Sequence, residues 1–207
     1  MILFLLLEIL LFIIMKTIFE SNDGKAFLAR GNFENKELIE RCIKEIEPLL
    51  ENNPEIQVFG KICNQQRDIG FFSNDSIGYK YSKKLMESKP LTYHIECLLK
   101  EVNIQFNSEF NGILVNKYKN GNDYISAHSD DESDLDNSGV ISISFGASRI
   151  FRIRDKKTKK IIYNENLESG TIIQMGGDFQ KIYTHEIPKQ TKIKEVRYSF
   201  TFRKHNK

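Results

Sequence analysis

The segment Tyr124-Ile-Ser-Ala-His128-Ser-Asp130 ends in His-x-Asp, and a second histidine, His185, stands far downstream in Tyr183-Thr-His185-Glu-Ile-Pro188. Residues two apart on an extended chain project to one side, so His128 and Asp130 present an imidazole and a carboxylate to a single ion. Two His and one carboxylate form the facial set that holds non-haem Fe(II) and leaves positions open for a chelating cosubstrate and O2. Zinc accepts the same donors, which keeps a hydrolase open. An isolated His-x-Asp is usually a surface turn. The acidic run Asp130, Asp131, Glu132, Asp134 and Asp136 reads by itself as a solvated loop.

The strand-like segment Arg197-Tyr-Ser199-Phe-Thr201-Phe-Arg203 narrows the choice. Period two places Arg197, Ser199, Thr201 and Arg203 on one face and Tyr198, Phe200 and Phe202 on the other. Two guanidiniums lined up above a buried aromatic face suit a dicarboxylate, because Arg forms forked, charge-assisted bonds to carboxylates. Neither a zinc hydrolase nor a cupin-like nucleic-acid binding module needs such a clamp.

These residues must be carried by a sheet that folds back on itself. After Asn111 the chain runs in short β-rich stretches: Gly112 to Tyr118, Tyr124 to His128, Val140 to Phe145, Ile150 to Arg154, Lys160 to Tyr163, Thr171 to Met175, Lys181 to Glu186 and Glu195 to Phe202. Close spacing, with Gly, Asn and Asp between them, predicts a double-sheet jelly roll or barrel. Upstream, Leu38, Ile39, Cys42, Ile43, Ile46, Leu49 and Leu50 recur at helical spacing over Asn35 to Leu50. A second helix follows Pro90 and carries Tyr93, Ile95, Leu98, Leu99 and Val102. Gln57 to Ser82 lacks a helical period and reads as hairpins and loops. The expected class is α+β, with helices first, strands after, and the helices bracing one sheet.

With 207 residues, 40% of them hydrophobic, the chain holds one sizeable core, so residues 16–207 are expected to form a single domain. The apolar leader, residues 1–15, is short for a bilayer crossing and lacks a basic start and a small-residue cleavage site. It reads as a membrane-associating helix, a helix packed on the domain, or sequence upstream of a start at Met15. Cys42, Cys63 and Cys97 are odd in number and show no paired spacing, which fits a reducing intracellular setting, nucleus or cytoplasm. A net charge of +2 announces no nucleic-acid binder, so any such contact needs local basic patches. Arg152, Arg154, Lys156, Lys157, Lys159 and Lys160 form one candidate patch, and Lys189, Lys192, Lys194, Lys204 and Lys207 another.

Several motifs then agree in order and spacing. Asn116-Lys-Tyr118-Lys-Asn-Gly121-Asn-Asp123 leads into His128-Ser-Asp130-Asp131-Glu132, followed by Ser144-Phe-Gly146-Ala-Ser-Arg149, Met175-Gly-Gly, His185-Glu-Ile-Pro188-Lys189 and Arg197 to Arg203. From about Phe59 to Lys204 the chain resembles the AlkB family of nucleic-acid dealkylating dioxygenases. The resemblance implies a double-stranded β-helix holding Fe(II) through His128, Asp130 and His185, with 2-oxoglutarate as cosubstrate and O2 as oxidant. It implies that Arg197 and Tyr118 bind the distal carboxylate of 2-oxoglutarate and that Asn116 and Arg203 bind the end nearer the metal. Ser199 and Thr201 lie beside them, Ser199 standing where the family usually has Asn.

The resemblance extends to the nucleic-acid side. Ile56-Gln-Val58-Phe59-Gly60-Lys61 is similar to the hairpin with which the duplex-acting animal branch of the family probes the base stack. Phe59 stands at the wedge position, consistent with an exposed aromatic beside Gly at a turn; a Phe folded back onto the core is the plain alternative. Tyr79, Tyr81 and Ser82 of Gly78-Tyr79-Lys-Tyr81-Ser82 resemble the family's base pocket, with Asp131 also implied at the base and Arg67 at a phosphate or the orphaned strand. Outside that context the two Tyr read as core residues of a strand. The implied activity is oxidative demethylation of 1-methyladenine and 3-methylcytosine in duplex or single-stranded DNA by a monomer, releasing formaldehyde, succinate and CO2. The same chemistry on RNA or on protein is the competing expectation.

Overall fold

A computed structural model describes residues 13–58, 60–81, 84–131 and 139–205. Two antiparallel sheets face each other. The larger orders seven strands as β1 (Lys16–Glu20), β2 (Ala26–Asn32), β13 (Thr171–Gly177), β10 (Val140–Gly146), β15 (Arg197–Arg203), β8 (Gly112–Tyr118) and β5 (Asp68–Phe72). The smaller orders β12 (Ile161–Leu167), β11 (Arg149–Asp155), β14 (Tyr183–Ile187) and β9 (Ile125–His128). Two hairpins, β3 (Glu55–Val58) with β4 (Lys61–Asn64) and β6 (Gly78–Tyr81) with β7 (Lys84–Glu87), stand apart from both sheets. This is the expected jelly roll with helices on one sheet.

Helix α1 (Lys36–Ile46) begins where the Asn35 side chain accepts a hydrogen bond from the Leu38 amide at 3.2 Å, satisfying one of the orphan donors of a helix start. Glu37 in its first turn and Lys44 in its last complement the helix dipole. Its buried stripe is Ile39, Cys42 and Ile46, after which Pro48 tightens the chain into a 3-10 turn. Helix α2 (Tyr93–Phe106) ends at Asn107, which takes a left-handed conformation with φ of 46°. Both helices pack on the outer face of the large sheet, against Ile113, Val115, Ile141, Ile143, Ile172, Phe200 and Phe202. Each such buried side chain contributes roughly 1.5–3 kcal/mol of transfer free energy. A second cluster fills the space between the sheets, with Leu28, Ile173 and Met175 from the large sheet meeting Phe151, Ile153 and Ile187 from the small one.

Three features depart from the sequence expectation. The helices do not come first: β1 and β2 precede them and extend the large sheet through β13, where Met175 pairs with Leu28. Ala26–Asn32 buries Ala26, Leu28 and Ala29 without a clean alternation, so it carries little signal for a strand whose partner lies far away in sequence. Within Gln57 to Ser82, β5 is a fully buried strand paired with β8 in the large sheet rather than part of a local hairpin or loop. The expected strand start at Lys181 is instead a short helix, α3 (Phe179–Ile182), and β14 begins at Tyr183.

The leader's last residues run over the helical core without forming a helix: Ile13 and Met15 pack against it, and the Ile13 amide donates to Gln105 Oε1 at 3.0 Å. Residues 1–12 lie outside the described residues. Among the described residues no helix is long and apolar enough to cross a membrane, and the three cysteines are free thiols.

Candidate active site

The inner face of the large sheet is built by cross-strand register. β8 and β15 pair Tyr118 with Arg197 and Asn116 with Ser199, and β10 adds Ser144 opposite Ser199 and Ser142 opposite Thr201. Period two therefore sends Asn116, Tyr118, Ser142, Arg197, Ser199, Thr201 and Arg203 into one pocket, with Ser144 buried behind Arg197, while Tyr198, Phe200 and Phe202 go to the helical core. The expected two-faced character of this strand is what the structure shows.

On the opposing sheet β9 pairs with β14 so that His128 lies directly across from His185. The two rings sit 4.3 Å apart between centroids, and Asp130 lies just beyond the end of β9. Asp130 Oδ1 is 3.8 Å from His128 Nε2, and Asp130 Oδ2 is 3.8 Å from His185 Nε2. One atom from each of the three residues lies within 4.8 Å of the others, the spacing of donors around one cation. His128 Nδ1 is 2.9 Å from the Ser126 carbonyl oxygen, which assigns its proton to that nitrogen and turns the Nε2 lone pair toward Asp130. His185 is fixed by packing: its ring stacks on Phe151 at 24° and 5.2 Å, with Phe179 farther off.

The charges at this point suit a metal. Burial pulls the His185 imidazole down to about 3, and the neighbouring His128 adds to this against the opposing pull of Asp130. His128 is likewise lowered, mainly by burial. Both rings are thus neutral, the form that ligates. Burial alone lifts the Asp130 carboxyl, yet the charge of the Arg203 guanidinium and its hydrogen bond hold it well below the usual carboxylate range. Asp130 Oδ2 and His185 Nδ1 are buried without a hydrogen-bond partner among the described residues. A buried ionised oxygen left this way is costly unless a cation meets it. Two neutral imidazoles and a carboxylate form a donor set that fits Fe(II).

The far end of the pocket fits an anion. Arg197 is 2% exposed, and Nη2 donates to Ser144 Oγ at 2.8 Å while Nε and Nη1 meet no acceptor among the described residues. Its Cζ lies 5.1 Å from the Tyr118 ring centroid. Burial draws the guanidinium down to about 10, with Tyr118 partly opposing, so it stays charged near neutrality. A buried guanidinium with two donors unspent fits a carboxylate of a bound cosubstrate.

The remaining expected residues have these surroundings. Arg203, expected at the metal end of the cosubstrate, pairs with Asp130 itself, Nη2 to Oδ1 at 2.7 Å. Arg67, expected at a phosphate or the orphaned strand, is 3% exposed and donates through Nε to Asn116 Oδ1 at 2.6 Å. That placement on the pocket wall does not reach a surface phosphate. Asp131 is exposed and paired with Lys156 Nζ at 2.5 Å. Phe59 and Ser82 lie outside the described residues, as do Glu132, Asp134 and Asp136, and the side chains of Tyr79 and Tyr81 are likewise outside. Of the basic candidates, Arg152 and Arg154 share Glu186, Lys204 pairs with Glu109, and Lys189 lies 4.8 Å above the Tyr124 ring.

Sequence reasoning gave no role to Ser144, which takes a hydrogen bond from Arg197, or to Gln180, whose Oε1 accepts the Asp130 amide at 3.0 Å. Ser144 was reachable in principle, since alternation in Ser142-Ile-Ser144 separates polar from apolar faces. Gln180 carried no signal, because it sits in a four-residue helix.

Comparison with known proteins agrees with this geometry. The family model described as 2OG-Fe(II) oxygenase superfamily matches residues 25–203. The chain is 30% identical over 182 residues to the DNA oxidative demethylase ALKBH2 of Bos taurus, covering 84% of this chain and 66% of that protein. The Homo sapiens ALKBH2 is also 30% identical, with 84% and 70% covered. The alpha-ketoglutarate-dependent dioxygenase alkB homolog 3 of Bos taurus is 35% identical over 135 residues, covering 60% of this chain and 47% of that one. The chain thus spans about two thirds of the ALKBH2 relatives and about half of the alkB homolog 3 relative. Among solved structures, that of OsALKBH1 superposes with a TM-score of 0.62 at 14% identity, covering 93% of this chain and 100% of the other, a likeness of fold.

Proposed function

Because the chain belongs to the 2OG-Fe(II) oxygenase superfamily, we propose that it removes methyl groups from base nitrogens of DNA, with 1-methyladenine and 3-methylcytosine as substrates. The observation that carries this reading is the meeting of His128, Asp130 and His185 at one point in the same pocket as Arg197, whose guanidinium has donors to spare. The choice of DNA rests on the relatives named DNA oxidative demethylase, which share 84% of the chain's length.

In this reading His128, Asp130 and His185 hold Fe(II), and Arg203 keeps the Asp130 carboxylate ionised and aimed. Arg197 and Tyr118 bind the distal carboxylate of 2-oxoglutarate, with Asn116, Ser199 and Thr201 along its length. When bound, iron supplies the oxidising chemistry with O2 and 2-oxoglutarate, which leaves as succinate and CO2. Phe151, Ile187, Leu114 and Met175 line the pocket with apolar surface and limit water near the metal. The oxidised methyl group leaves as formaldehyde. Phe59 on the β3–β4 connection fills the gap left by an extruded base, and Tyr79, Tyr81, Ser82 and Asp131 line the base pocket. The protein acts as a monomer in a reducing intracellular setting.

Formaldehyde release from 1-methyladenine in duplex DNA, single-stranded DNA and RNA, with His128→Ala as control, tests the proposal. Release from DNA by the parent and none by the variant supports it. Release from RNA alone would move the substrate to RNA, and absence of release from all three would sink base demethylation.

A further inference from the structure

Arg149 opens β11 and is among the largest fully buried side chains, at 1% exposure. A guanidinium taken out of water must have its donors met, and among the described residues the acceptors of Arg149 are carbonyl oxygens rather than carboxylates. Nε donates to Gln190 Oε1 at 3.3 Å, Nη1 to the Asn120 carbonyl at 3.2 Å, and Nη2 to the carbonyls of Asp123 and Pro188, each at 2.8 Å. Gln190 Oε1 also accepts the Ile150 amide at 2.8 Å.

These acceptors belong to two particular connections. Asn120 and Asp123 lie between β8, which carries Asn116 and Tyr118, and β9, which carries His128. Pro188 and Gln190 lie between β14, which carries His185, and β15, which carries Arg197. Arg149 itself ends the connection from β10 to β11. Three crossings from one sheet to the other therefore meet at one side chain. The two loops also bond to each other, Gln190 amide to Gly121 carbonyl at 2.8 Å and Gly121 amide to Ile193 carbonyl at 2.9 Å. They approach so closely that a Cβ on Gly121 would stand 1.8 Å from the Gln190 carbonyl oxygen. Arg149 Cζ lies 5.6 Å from the Tyr118 ring centroid, the same ring that Arg197 approaches to 5.1 Å.

We propose that Arg149 is a positioning residue for the cosubstrate: by tying the sheet crossings together against Tyr118, it sets the spacing of Tyr118 and Arg197 that selects a 2-oxo acid with a distal carboxylate. The inference rests on the reading of Tyr118 and Arg197 as that carboxylate's clamp. It requires the forked geometry of Arg, since an ammonium cannot serve four acceptors on two loops. It also separates the two ends of the pocket, because Arg149 touches none of the three candidate metal ligands.

The test uses the full chain loaded with Mn(II) and measures binding of 2-oxoglutarate and of pyruvate, which keeps the chelating end and lacks the distal carboxylate. Arg149→Lys and Gln190→Leu should weaken 2-oxoglutarate by about tenfold or more, the loss of one charge-assisted contact, and leave pyruvate within about twofold, too little for a lost hydrogen bond. Arg197→Met is the control for the clamp and should show the same selective loss. Equal weakening of both ligands by the Arg149 and Gln190 variants means a purely structural role and overturns the proposal. Selective loss in Arg197→Met but not in those variants overturns it while leaving the clamp standing. No selective loss in Arg197→Met removes the clamp and the proposal together. Should Arg149→Lys fail to fold by circular dichroism, Gln190→Leu decides, since it removes one acceptor and keeps the buried charge.

Discussion

Arg197 and Tyr118 are partners across the β15–β8 ladder, and the guanidinium carbon sits 5.1 Å from the phenol ring while two of its donors remain unspent. The pairing joins a charge to a ring at the end of the pocket away from the three candidate metal ligands. Arg197→Lys keeps the charge and loses the fork, so the KM for 2-oxoglutarate should rise by roughly 10- to 100-fold, equivalent to about 1.5–3 kcal/mol for a charged hydrogen bond. Succinate formation against cosubstrate concentration measures it.

Metal occupancy should stabilise the fold independently of turnover. Mn(II) at about a hundredfold excess over its Kd should raise the unfolding free energy of the parent by about 2.7 kcal/mol. His128→Ala, which removes one of three donors, should show far less gain at the same concentration. Urea unfolding with and without metal reads this, and equal gains in both proteins would refute the three-residue site.

The metal-free protein should lose stability in acid through His185. Its folded value of about 3 lies below the ordinary 6.5, so between those limits the unfolded chain binds a proton that the folded chain refuses. Stability is therefore present above about pH 6.5 and falls as the pH drops toward 3, by up to about 1.4 kcal/mol per pH unit for one proton. His185→Asn should flatten that slope in unfolding curves recorded without metal at several pH values.

Phe200 is fully buried on the face of β15 that meets the helices. Phe200→Ala should cost about 3–5 kcal/mol through lost transfer energy and the cavity left behind. A shift of the urea midpoint with an unchanged slope verifies a simple loss of packing.

If Phe59 is a wedge, Phe59→Ala should lower activity on methylated duplex DNA about tenfold or more, in keeping with an unstacking cost of a few kcal/mol. Activity on the single strand should change little. Equal losses on both substrates would remove the wedge role.

What the chain's sequence determines by itself is local. Period two in Arg197 to Arg203 assigns one face to the pocket and the other to the core, and His128-x-Asp130 places two donors side by side, because alternation is a property of the extended backbone. The helical stripe through Ile39, Cys42 and Ile46 is legible for the same reason. Tertiary structure alone decides what these faces meet. That His185 stands opposite His128 follows from the β14–β9 register, and that β2 joins the large sheet follows from its pairing with β13. The pairing of Arg203 with Asp130, the burial of Arg67 against Asn116 and the gathering of three crossings on Arg149 are of this second kind. Each joins residues from different strands or loops, and no backbone period links such positions: strand order and register are set by the burial of both sheets at once.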